Sequence, residues 1–314
     1  MKKCKRVLLV SMIFVCTAVM AWAAEAQNND GYVQNFDNGQ VNWQTGMVTA
    51  VGLGAPPANA VNMAQARALA RRAAIVVARR NLLEVIKGVR IDSETTVQEY
   101  MVTSDIIRTS VSGFLHNSQI MDVAYMSDGS VEATVGVNLH GGLATIVTPK
   151  TMPFKAVKPE PVSLSEAPAV PAPEIAPTPE IAVPAPEVVV PAPVEPASPA
   201  EAVYTGLVID AAGTGAKPAM SPKIMDEQGN EIYGSALVSR EYAIQQGMAG
   251  YAKDLDKAKT RPRVTDRPFV LKALSASGKG MSDLVVSNQD ANTLRALSEN
   301  QNFLEKCRVM IVLQ

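Results

Sequence analysis

Residues 167–202 read APAVPAPEIAPTPEIAVPAPEVVVPAPVEPASPAEA, the centre of a stretch (151–203) that is about one-quarter proline. Each proline removes a backbone donor and fixes φ, so neither a helix nor a strand ladder runs through such a segment. It is expected to be an extended polyproline-II spacer rising about 3.1 Å per residue, on the order of 100–150 Å in all. On either side of it the chain divides into two folded units held apart. The expected fold class is α+β: two small two-layer α/β domains separated by a disordered proline-rich linker. The expected boundaries are 1–23 signal peptide, 24–39 disordered N-terminus, 40–147 first domain, 148–203 linker and 204–314 C-terminal α+β domain. This organisation favours tethering or assembly over a single catalytic machine.

The N-terminus reads as an export signal. Lys2, Lys3, Lys5 and Arg6 form a basic region, Val7 to Met20 is apolar, and Ala21-Trp22-Ala23 is a small-x-small cleavage site. The competing reading is an uncleaved inner-membrane anchor, because the apolar run to Ala24 is about 18 residues, the short edge of what spans a bilayer. Cys16 follows the bulky Ile13-Phe14-Val15, which argues against a lipidation site. After cleavage Cys307 is the remaining cysteine, so no internal disulfide staples the fold despite export. Its neighbours Val309 to Leu313 make it an inert core thiol. Loss of the basic leader takes the formal charge from −1 to about −5, which argues against nucleic acid as a partner.

In the first unit, Val41 to Leu53 reads as one strand. Asn59 or Asn62 then caps a long helix to about Lys87, stopped by Gly88. Met63, Ala66, Ala70, Ala73, Ala74 and Val77 make one apolar face, and Leu69, Ile75, Val76, Leu82, Leu83 and Ile86 cover much of the rest. Such a helix is either deeply buried, the preferred reading, or meets a second subunit with its outer face. A short helix follows within 97–115. Gln119–Met126 and Val131–Leu139 form a hairpin around Ser127-Asp128-Gly129, giving a three-stranded sheet with helices on one face.

The run Ala68-Leu-Ala-Arg-Arg-Ala-Ala-Ile-Val-Val-Ala-Arg-Arg-Asn-Leu-Leu-Glu-Val-Ile-Lys-Gly88, with Ser93-Glu-Thr-Thr-Val97 and Gly129-Ser-Val-Glu-Ala-Thr-Val135, resembles the twenty-kilodalton outer-membrane lipoprotein family. It is similar also to the N-terminal domain of flagellar assembly protein T. The resemblance covers residues 40–147 and implies an exported, non-catalytic envelope protein, with flagellar or outer-membrane association in some members. The absent lipidation cysteine, the spacer and the second domain depart from that family.

In the second unit, Tyr204–Ile209 reads as a strand, and Lys223-Ile-Met and Glu231-Ile-Tyr form a hairpin across Gly229. Ser239 caps a helix to about Lys259, weakened by Gly247 and Gly250. Phe269–Leu274 and Asp283–Val286 are strands, Ser287 and Asp290 cap a helix through Leu297, and Cys307–Leu313 is a central strand.

No catalytic set emerges. The start of the unit, Gly206-Leu-Val-Ile-Asp210, looks faintly like zinc amidases, but the second unit has no histidine. Gly213-Thr-Gly215 and Gly278-Lys-Gly280 lack phosphate-loop spacing and read as turns. Asp226-Glu-Gln-Gly-Asn-Glu231 lacks calcium-loop spacing and reads as a solvated hairpin tip. His116 and His140 are not spaced as a metal pair and read as turn or surface residues. Asp210, Asp226 and Asp283 would have to converge to make a hydrolase. Arg71, Arg72, Arg79 and Arg80 are the candidate interaction surface, weighed against ordinary pairing with nearby acids. The expectation is therefore no enzyme, metal or cofactor. The leading role is an exported envelope assembly protein, periplasmic or outer-membrane-associated, whose partners are itself or other envelope proteins. The alternative is a binding module for cell-wall glycan or outer-membrane lipid.

Overall fold

A computed structural model describes residues 31–148, 153–155 and 203–314. The expected signal peptide at 1–23 and most of the proline-rich stretch lie outside the described residues. The chain is α+β, as its patterning indicates. No helix among the described residues is long and apolar enough to cross a membrane.

The first unit is an antiparallel sheet of five strands in the order β1-β2-β3-β5-β4. These are β1 (Val33–Phe36), β2 (Gly39–Asn42), β3 (Met47–Gly54), β4 (Gln119–Tyr125) and β5 (Val131–Asn138). Two expectations change here. Val41–Leu53 is a hairpin, not one strand: Asn42 Oδ1 accepts from the Gln44 and Thr45 N–H groups, and Gly46 takes φ +71°. Residues 33–36, expected to be disordered, add β1, because Trp43 Nε1 donates to Gln34 Oε1 and the ladder closes beside it. The β4–β5 hairpin turns at Gly129 as expected, with Asp128 Oδ1 accepting from the Ser130 N–H.

Helix α1 (Met63–Lys87) starts at Asn62, whose side chain accepts from the Gln65 N–H, and ends at Gly88. Its buried side chains are Ala66, Ala70, Ala74, Ala78, Leu82, Val85 and Ile86, essentially one i+4 row. The alanines let the helix backbone almost touch the sheet. A Cβ on Gly52 would fall 2.1 Å from the Ala78 nitrogen, and one on Gly54 2.1 Å from the Ala70 oxygen. Deep burial of the helix is thus wrong: Met63, Leu69 and Val76 are exposed, at 67%, 42% and 55%. Apolar residues around the circumference do not imply cover on every side. The helix expected within 97–115 is two, α2 (Val97–Thr103) and α3 (Asp105–His116), parted where Ser104 turns extended and caps α3. Thr96 and Glu99 form a capping box on α2. After β5, a wide turn leads into α4 (Ala144–Val147).

The second unit has a parallel sheet, β10-β6-β13-β9, and a mixed sheet, β11-β12-β7-β8. Their ranges are β6 (Gly206–Asp210), β7 (Ile224–Met225), β8 (Glu231–Tyr233), β9 (Gly250–Ala252), β10 (Pro268–Lys272), β11 (Ser275–Ser277), β12 (Asp283–Val285) and β13 (Val309–Val312). β13 is buried throughout and central, as its unbroken apolar run requires. The helix expected from Ser239 to Lys259 is instead α5 (Arg240–Gln246), then β9, then α6 (Leu255–Lys259). Gly247 breaks it at φ +78°, and Arg263 holds the break by donating to the Gln246, Gly247 and Cys307 carbonyls. Ser287 caps α7 (Asn288–Asn300) by accepting from the Asp290 N–H.

The two units are not held apart. Val41, Trp43, Ile91 and Leu139 of the first share one continuous buried cluster with Ala243, Met248 and Tyr251 of the second. Trp43 meets Tyr251 edge-on at 5.5 Å, and Gly31 pairs with Ala252 on the free edge of β9. The Met220 and Ser221 N–H groups donate to the Arg90 and Ile91 carbonyls at 3.0 and 2.7 Å. Ser93 Oγ donates to Asp283 at 2.5 Å, and the Gly280 N–H donates to the Ser93 carbonyl. The proline-rich stretch links two units as expected, but it does not set them apart, because the chain crosses between them before most of the prolines. Lys155 donates its N–H to the Val238 carbonyl and pairs with Glu305 at 2.8 Å, and Phe154 lies under Arg240. Lys155 and Val203, the described residues flanking the proline-rich stretch, line the same depression. The two described ends flanking the stretch therefore lie close together on the body, and its length does not set the separation of the units.

Two glycine substitutions should act with opposite sign in urea unfolding. Gly54→Ala forces a methyl into the α1 backbone and should destabilise by about 1–3 kcal/mol. Gly113→Ala, in the interior of α3 with nothing within 4 Å, should stabilise by roughly 0.5–1 kcal/mol.

Candidate interaction surface

The rows of α1 parallel to its buried row carry different chemistry. One step on lie Arg67, Arg71, Ile75 and Arg79; two steps on lie Ala68, Arg72, Val76 and Arg80. All five arginines thus fall on adjacent rows, against Glu84 as the helix's acid. The flank row faces β4. Arg79 Nε donates to Ser118 Oγ at 3.2 Å, and Arg67 and Arg71 line a depression with Ala64, Ala68 and Tyr125. Arg67, Arg71, Arg72 and Arg80 are exposed, and among the described residues none has a carboxylate within 4 Å. The expected four, Arg71, Arg72, Arg79 and Arg80, are therefore gathered on one side, though Arg79 is half-buried against Ser118. Arg67 and Tyr125 join them. Arg67 was legible from its i+4 relation to Arg71; Tyr125 needed the β4 register, which puts it opposite Val131 on the helix side.

The carboxylates that a hydrolase would need are each engaged locally. Asp210 Oδ1 accepts from the Ala212 N–H. Asp226 is buried, not solvated at a hairpin tip. It accepts from the Arg295 guanidinium, from the Asn230 side-chain amide and N–H, and from the Gln228 N–H, which together hold its carboxyl well below the usual range. Asp283 accepts from Ser93 and the Lys223 N–H, and burial pushes it up. Among the described residues no group of three or more His, Cys, Asp or Glu is gathered as a metal site. Burial pushes the Cys307 thiol up to about 11, so it stays protonated.

His140 is a junction residue, a role its sequence position after β5 does not signal. A Cβ on Gly46 would fall 2.7 Å from its Nδ1, and one on Gly247 2.7 Å from its Nε2, so a glycine from each unit makes room for the ring. Beside it is an enclosed space of about 30 Å³ lined by Trp43, Ile91, Phe154 and Met248, among others. That volume holds a water or two and no larger ligand. Desolvation, with Arg263 nearby, holds His140 down at about 4.

Residues 206–314 match the family model described as Treponema pallidum Tp0624, second domain. The match opens on the first residue of β6 and takes in every strand and helix of the second unit. It does not reach residues 40–147, where the lipoprotein resemblance rests on the sequence motifs alone. No curated protein matches the chain.

The depressed His140 pKa fixes a pH dependence. The unfolded imidazole takes up a proton below about 6.5, the folded one only near 4, so stability is full above 6.5 and falls as pH drops through that window. Between pH 7 and 4.5 the wild-type protein should lose on the order of 2 kcal/mol more than His140→Gln, measured by urea unfolding at each pH.

Proposed function

We propose that the protein is a non-catalytic, exported cell-envelope assembly protein that engages its partners through the outer rows of α1. One observation carries this reading: a helix of 25 residues presents four exposed arginines without carboxylate partners beside exposed Met63, Leu69 and Val76. Acids at i+3 or i+4 would stabilise such a row by about a few tenths of a kcal/mol per pair, and α1 supplies none to these arginines, its Glu84 pairing with Lys87. A row without them, interleaved with apolar side chains, has the chemistry of an interaction surface. Export rests on the leader at Lys2–Ala23, and the envelope setting on the resemblance of residues 40–147 to the lipoprotein and flagellar assembly families. The second unit, similar to the Tp0624 second domain, supports the first by closing its open end at Trp43 and Ile91.

A photo-crosslinking residue at Val76, introduced in the native cell, should yield a discrete adduct with an identified envelope protein or a second copy. The same residue at the exposed Lys253 should yield none. Adducts with lipid or glycan alone would favour the binding-module reading. No adduct at Val76, or retention of the protein in the cytoplasm, would contradict the assembly role.

A further inference from the structure

β4 is the outermost strand of the first sheet on the side of the arginine row. It pairs with β5 alone, and no other described residue hydrogen bonds to the backbone of Gln119–Tyr125. Sheet edges are usually blunted by lysine, proline, inward charge or a covering segment. β4 reads QIMDVAY, with a single charge and no proline, and its remaining device is a register shift between Ile120 and Asp122. The β9 edge of the second unit, by contrast, is met by Gly31 and Tyr32. Ile120, Met121, Tyr125 and Met126 are exposed along the β4 edge, at 42%, 52%, 57% and 42%.

The arginines run alongside this edge. Arg79 contacts Ser118 just before β4, and Arg67 and Arg71 meet Tyr125 at its far end. The row therefore follows the strand for its whole length. We propose that β4 is a template for strand addition and that its occupant is an extended acidic segment of a partner protein. This rests on the assembly reading above and gives it a partner chemistry. The added strand would take its main-chain hydrogen bonds from β4, and every second side chain would point to the helix side. Those side chains recur about every 6.7 Å, while Arg67 and Arg71 are about 6 Å apart along α1. Acids at alternate positions thus fall into step with the arginines.

A second copy of the same strand fits less well. Antiparallel edge pairing of two β4 strands about a two-fold axis places both α1 helices on one face of the joined sheet. The Arg67, Arg71 and Arg79 rows would then confront each other. A partner carrying carboxylates turns that repulsion into attraction.

The test uses the purified protein and a labelled peptide, acetyl-Thr-Glu-Val-Glu-Thr-Glu-Val-amide, followed by fluorescence anisotropy. Saturable binding is expected. Arg67→Glu with Arg71→Glu should weaken it by roughly tenfold or more. Arg71→Gln, milder for folding, should weaken it by roughly threefold. A peptide with alternate amides N-methylated keeps its charge but cannot pair, and it should also lose roughly tenfold. Equal binding of the methylated peptide would show charge attraction alone and overturn strand addition. So would retention on vesicles containing phosphatidylglycerol without peptide binding, or concentration-dependent dimerisation that Arg71→Gln strengthens and the peptide does not compete away. If the peptide fails while crosslinks from Val76 to envelope proteins persist, strand addition falls and the assembly role stands.

Discussion

The backbone pairing of Lys155 onto the second unit is the constraint on which the architecture depends. Lys155 is bonded to Val238 and Glu305 before most of the prolines begin. Only residues 149–152 lie between the last described residue of the first unit and this anchor. So short a tether raises the effective concentration of one unit at the other to the millimolar range or above, and the junction contacts then form at little further entropic cost. Trp43 on Tyr251, Ser93 on Asp283 and the backbone bonds from Met220 and Ser221 all follow from that proximity. The long proline-rich excursion costs little more than a shorter one would, since loop closure grows only logarithmically with length.

Within the first unit, backbone contact between α1 and β3 sets which chemistry is left outside. Alanine on the helix and glycine on the strand draw the two together along a single i+4 row. A narrow buried row leaves most of the helix circumference in water, and that circumference carries the arginines. A bulkier contact would lift the helix and widen its buried face. The exposed surface and the tight packing are therefore two consequences of one arrangement.

The elements with local chemical signals were legible in the sequence. Asn62, Asp128-Gly129 and Ser287 act as caps and turns where their side chains or backbone freedom require. The arginine cluster was legible because helical periodicity fixes its geometry. What was not legible depends on distant partners. Gly247 reads as a weak helix position until Arg263 is seen to hold its carbonyls, and the Asn42 turn hides inside a run of β-formers. Proline composition shows only that a stretch does not fold by itself. It carries no information on where the ends of that stretch are fastened, so the docking of the units and the junction role of His140 were invisible.

The single-body architecture is tested most directly by cutting the proline-rich stretch. A protease recognition sequence placed within residues 170–190 would allow the purified protein to be cleaved and then sized by chromatography with light scattering. The fragments should remain together at the mass of the uncut protein and unfold in one transition. Two fragments eluting separately at micromolar concentration, each folded, would contradict the shared core.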